Sequence, residues 1–121
     1  MFDKAKSWAR AESDALLYQN TEAEELAAAR ALRGGVEAVL AYADAALSYA
    51  ATFGYYHTVA YQVGALAEKR AKLAELPATY EEPGIYLFAQ AVAYAAQCTK
   101  QAARRARREQ LRVILYPEQH A

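Results

Sequence analysis

VEAVLAYADAALSYAATF, residues 36–53, decides how this chain folds. At about 100° per residue, Val39, Tyr42, Ala46, Tyr49, Ala50 and Phe53 gather on one side of a helix, with Leu40 and Leu47 at the margins. Glu37, Asp44 and Ser48 fall opposite. The apolar arc covers roughly half the circumference, wider than the stripe of about 100° on an ordinary surface helix. Such a helix is central in a bundle or covered by a second chain.

Downstream, Gly54 reads as a turn ending a helix over Val36–Phe53 or as a mid-helix glycine. Tyr56, Ala60, Val63 and Ala67 prolong the same face, so the spacing mildly favours continuation as far as Leu76-Pro77. Tyr42, Tyr49 and Tyr56 are spaced seven apart on the edge of the arc. Tyrosine joins an apolar ring to a wet hydroxyl and suits the margin of a core or the inside of a protein interface. Together with Phe53 these tyrosines form the candidate interface.

Upstream, Gly34-Gly35 reads as a helix C-cap and turn, with a gentle bend in a continuing helix as the main alternative. The helix before it runs from Thr21 to Arg33. Thr21 and Glu24 match a capping box, and Glu22, Glu24 and Glu25 suit the positive end of the helix dipole. A first helix covers Asp3–Gln19. At the other end, 78–82 is a loop, and Pro83 opens a last helix that Tyr116-Pro117 ends after Leu115. The expected fold is therefore all-α: one domain over residues 1–121, an antiparallel bundle of four to five helices. Its long C-terminal helix should project, with 116–121 as a frayed tail.

Composition agrees. Alanine is abundant among 121 residues, and only five glycines and three prolines interrupt the chain. Alanine favours helices but contributes little burial per residue, so a monomer of this kind should be marginal and gain from neighbours.

The last helix carries QAARRARREQ, residues 101–110. Phe88, Val92, Ala95, Thr99, Ala102, Ala106 and Val113 form its apolar stripe, and Lys100, Arg104, Arg105, Arg107, Arg108 and Arg112 fall on the other side. The leading reading is a solvated polar face. Two others remain open: docking on the acidic Glu22–Glu25 segment of a neighbour, and sequence-independent binding of a nucleic-acid backbone. Formal net charge is zero, with fourteen basic and fourteen acidic side chains, which argues against phosphate binding as the main task.

Few residues suggest chemistry. His57 and His120 are far apart, and His57 reads as a buried or half-buried histidine with a hydrogen-bonded ring. Cys98, the one cysteine, falls beside the apolar stripe and reads as a small core residue. No pair of residues has zinc or di-iron spacing, and no phosphate loop is present. Neither a catalytic residue, a metal ligand nor a cofactor is expected.

Glu22 and Glu25 form an E-x-x-E pair ahead of Asp44 on the next helix. This pattern resembles that of the MazG-type nucleotide pyrophosphohydrolases, all-helical enzymes with E-x-x-E and E-x-x-D pairs on adjacent helices. The resemblance covers about a third of the chain. It implies magnesium held by Glu22, Glu25 and Asp44 against a nucleoside triphosphate. The position three before Asp44 is Ala41, where the family pattern has glutamate.

No charge-free apolar run is long enough for a membrane span, and charges interrupt the N-terminus, so neither a membrane nor secretion is expected. The expectation is a non-enzymatic interaction or structural protein of the cytoplasm or of a larger particle. Its partner would be itself or another protein subunit.

Overall fold

The computed structural model describes residues 4–19 and 22–119. It is all-helical, and no strand occurs among the described residues. Five α-helices pack together: α1 Lys4–Gln19, α2 Glu22–Arg33, α3 Val36–Ala51, α4 His57–Ala74 and α5 Pro83–Leu115. A short 3-10 turn, Pro117–Gln119, follows in the stretch expected to be a tail. Thr21, and with it the expected capping box, lies outside the described residues, as do Asp3 and His120.

Breaker residues set the helix ends as local sterics require. Gly35 adopts φ 97°, ψ −179°, a conformation only glycine takes readily. Its carbonyl accepts the first bond of α3 from the Val39 N–H at 3.1 Å, while the Gly34 N–H closes α2 on Arg30 O at 3.0 Å. Glu82 is extended, as a residue before proline must be, and Pro83 opens α5 without loss of a bond. At the far end Tyr116 leaves helical geometry ahead of Pro117.

Of the two readings of Gly54, the structure has the turn and not the mildly favoured continuous helix. The chain stops at Ala51, turns through 52–56, and restarts at His57. Thr52 Oγ1 donates to Tyr49 O at 3.1 Å, and the Phe53 N–H donates to Ala50 O at 2.9 Å. The turn buries Phe53 with Ala50, Val59, Ala102, Ala103 and Ala106. Of the residues that prolong the face across the turn, Tyr56 and Val63 are half-buried but Ala60 and Ala67 are exposed, because α4 restarts in a different phase and buries Val59, Leu66 and Leu73.

α5 does not project. At about 50 Å it is the axis of the molecule, touching all four other helices, with buried residues from Ile85 to Leu111. Its buried face includes Ala89, Ala93, Ala96 and Ala103 beside Val92, Thr99, Ala102 and Ala106, whereas Val113 is exposed. Alanine makes up about half of the buried hydrophobic residues, which lets four helices close around one. Larger side chains fill the wider layers. Leu66 and Leu73 of α4 join Val36, Val39 and Leu40 of α3 around the first half of α5, and Ala9, Leu16 and Leu111 hold α1 at the other end. The loop before α5 is pinned where the Tyr80 hydroxyl donates to Leu32 O at 2.9 Å.

Candidate functional site

The charged face of α5 is largely turned inward. Glu24 of α2, only 2% exposed, receives Lys100 Nζ at 3.3 Å and the Arg104 guanidinium on Oε1. On Oε2 it accepts the Tyr42 hydroxyl at 2.8 Å. Lys100 also lies 5.5 Å from the centre of the Tyr42 ring. Burial and the bond to Glu24 push the Tyr42 hydroxyl well above the ordinary tyrosine range. A buried carboxylate is tolerated only when paired and hydrogen-bonded, and this one is both.

A second pairing fastens α1. Arg107 grips the Glu12 carboxylate with Nε at 2.7 Å and Nη2 at 3.1 Å, a bidentate geometry, and its guanidinium lies 5.4 Å from the Trp8 ring. The bond to Glu12 raises the Arg107 pKa further. Arg108 donates to Ser13 Oγ at 3.4 Å.

These contacts correct the expectation of a solvated arginine face. The acidic segment that was to receive this face on a neighbour receives it within the same chain, through Glu24. Lys100, Arg104 and Arg107 are thereby occupied. Arg105 is exposed, and Arg108 and Arg112 join Arg10, Ser13, Asp14 and Tyr116 around an open depression of about 320 Å³.

The candidate interface residues also face inward to differing degrees. Phe53 is buried, while Tyr42, Tyr49 and Tyr56 are half-buried at the margins of the core. Tyr49 packs 5.6 Å from Phe53, and its burial raises its pKa. His57, expected to be buried or half-buried, is instead exposed at the start of α4.

The three carboxylates of the nucleotide-hydrolase resemblance do not form a ligand set. Glu22 and Glu25 are exposed on α2, and Arg70 holds Asp44 through two bonds of 2.9 and 3.1 Å. Among the described residues no three His, Cys, Asp or Glu side chains gather as metal ligands. The residues present do not fit the magnesium site that the resemblance implies.

No known family model, curated protein or solved structure matches the chain.

The surface holds one feature the sequence reading missed. Leu87 is 62% exposed and Tyr94 65%, Ala91 is exposed, and Cys98 is half-exposed between core and solvent. Their spacing of four, three and four residues draws one straight seam along α5, opposite the buried face. A groove between α2 and α5, lined by Glu25, Leu32, Gln90, Tyr94 and Gln97, runs beside it. The heptad spacing was legible in the sequence. A helical wheel ranks faces by hydrophobicity, and with apolar residues on two faces of this helix the weaker one does not stand out.

Proposed function

We propose that the protein is a non-enzymatic helical interaction protein, an antiparallel bundle that docks on protein through the exposed seam of α5. The single observation carrying this reading is a leucine and a tyrosine, each mostly exposed one heptad apart, on the most extensively packed helix of the molecule. Leaving such side chains in water forgoes about 1.5–3 kcal/mol for a leucine-sized group, which a covering partner recovers. The two-residue connection at Gly34-Gly35 supports antiparallel neighbours in the bundle. The partner is a second copy or another subunit, in the cytoplasm or within a larger particle. Among the described residues no helix is long and apolar enough to cross a membrane.

The test is mass in solution. Light scattering over a range of concentrations is run on the purified protein and on Leu87→Glu and Tyr94→Glu, with helicity checked by circular dichroism. A species heavier than the monomer, or a retained protein, that either substitution abolishes supports the reading. A monomer free of bound protein would sink it.

A second reading, binding of a polyanion such as a nucleic-acid backbone, is supported by the depression between Arg10, Arg108 and Arg112. It would draw less on Lys100, Arg104 and Arg107, which are engaged by Glu24 and Glu12. Retention on heparin that Arg108→Ala and Arg112→Ala reduce supports it, and flow-through at low salt ends it.

A further inference from the structure

We infer that the occupant of the α5 seam is a second copy of this chain, paired antiparallel through α5 about a twofold axis between Ala91 and Tyr94; this rests on the interaction reading above. Two observations select the arrangement. The first is register. With the axis there, Leu87 lies against Cys98 of the second copy and Ala91 against Tyr94, and symmetry repeats both pairs. Four successive layers then contain every apolar residue of the seam. The next layer places Gln101 opposite Gly84, where an added Cβ would meet nothing within 4 Å, so the longer amide has room. Antiparallel pairing of this kind is isologous and closes on itself, so it stops at a dimer.

The second observation is charge. Glu81 and Glu82 are exposed at the start of α5, and Arg105 is exposed beyond the apolar part of the seam. None of the three takes part in an ion pair among the described residues. Antiparallel pairing brings each Arg105 alongside the Glu81–Glu82 end of the other copy. Parallel pairing would set glutamate by glutamate and arginine by arginine. Opposite charges beside an apolar seam are how paired helices choose orientation. Four seam residues and one flanking groove per copy fall at the small end of protein interfaces, below the roughly 800 Å² per partner of a standard complex. The dimer should therefore dissociate on dilution.

Cysteine chemistry tests the register. Leu87→Cys, with native Cys98 retained, should give a disulfide-linked dimer as the main species on a non-reducing gel after oxidation with diamide. Within one chain these two positions are about 16 Å apart along the helix, too far for a bridge. Each cysteine is equally far from its own twin across the axis. The native protein and Leu87→Cys/Cys98→Ser should accordingly stay unlinked. A single-cysteine protein that links to itself, or Leu87→Cys with no covalent dimer, would overturn the inferred pairing.

A charge exchange, which touches no packed residue, provides the second arm. Arg105→Glu should weaken the dimer a few-fold, and Glu81→Lys with Glu82→Lys in the same chain should restore it. No effect of Arg105→Glu on dissociation would also overturn the pairing. Failure of the broader interaction reading is distinguishable. If the pairing alone is wrong, Leu87→Glu still abolishes an assembly or a retained partner. If the reading is wrong, there is no assembly to abolish.

Discussion

Glu24 and Lys100 meet across the helix pair α2–α5, with carboxylate and ammonium 3.3 Å apart and the glutamate almost wholly removed from water. The pairing converts what reads as the outer face of α5 into an internal strut. Arg104 adds a second cation, and Tyr42 of α3 adds a hydrogen bond, so three helices converge on one carboxylate.

Removing that carboxylate should cost far more than its exchange for apolar packing. Glu24→Gln removes the buried carboxylate from Lys100 and Arg104, both poorly exposed, and we expect a loss of about 3 kcal/mol in unfolding free energy by urea denaturation. Glu24→Leu combined with Lys100→Met and Arg104→Met removes all three charges together. It should recover most of that loss, as replaced buried ion clusters commonly do. Equal destabilisation of both variants would show that the cluster acts through shape and not charge.

Arg107 and Trp8 offer a local readout, because Trp8 is the chain's one tryptophan. Arg107→Ala removes the bidentate grip on Glu12 and the cation over the indole. We expect a loss of about 1–2 kcal/mol and a changed tryptophan emission spectrum. Arg107→Lys keeps the charge but cannot reproduce the two parallel bonds, so it should recover only part of both effects. Unchanged emission in Arg107→Ala would mean that α1 docks without this contact.

The turn between α2 and α3 depends on one backbone conformation. Gly35→Ala meets no atom within 4 Å, so its effect is purely conformational. At φ 97° a Cβ is strained, and the expected cost is about 1–3 kcal/mol, seen as a lowered thermal midpoint. Preserved stability would show that the turn tolerates another geometry.

Alkaline pH should act through Tyr42. Its hydroxyl is held above the ordinary range in the folded state, by burial first and by Glu24 second. The unfolded chain therefore releases this proton first, near pH 10, and stability present below that pH is lost as pH rises above it. Tyr49, also raised by burial, adds to the same trend. Denaturant midpoints measured from pH 8 to 11 should fall, and Tyr42→Phe should flatten the fall. An identical slope in Tyr42→Phe would remove Tyr42 as the cause.

Helix ends were the most legible part of this chain. Pro83, Leu115 before Tyr116-Pro117, and Gly34-Gly35 were read at their observed positions, because proline and glycine act through sterics within a residue or two. Gly54 was less legible: alanines such as Ala60 and Ala67 extend an apolar pattern on paper yet lie exposed, so periodicity alone does not separate a turn from a continuing helix. The arginines misled more deeply. A helical wheel separates Arg104 and Arg107 from alanine but carries no information about Glu24 or Glu12.

Sequence alone determined that this chain is helical, where most of its helices begin and end, and that alanine would let them pack closely. Tertiary structure decided how far the buried face of α5 spreads beyond the stripe legible in the sequence, adding Ile85, Ala89, Ala93, Ala96 and Ala103 to Val92, Thr99, Ala102 and Ala106. It set Glu12 against Arg107, ninety-five residues apart, and left Leu87 and Tyr94 in water. Helix formation depends on neighbours three and four positions away. The partner of a buried charge depends on which helices surround it, and no local pattern encodes that.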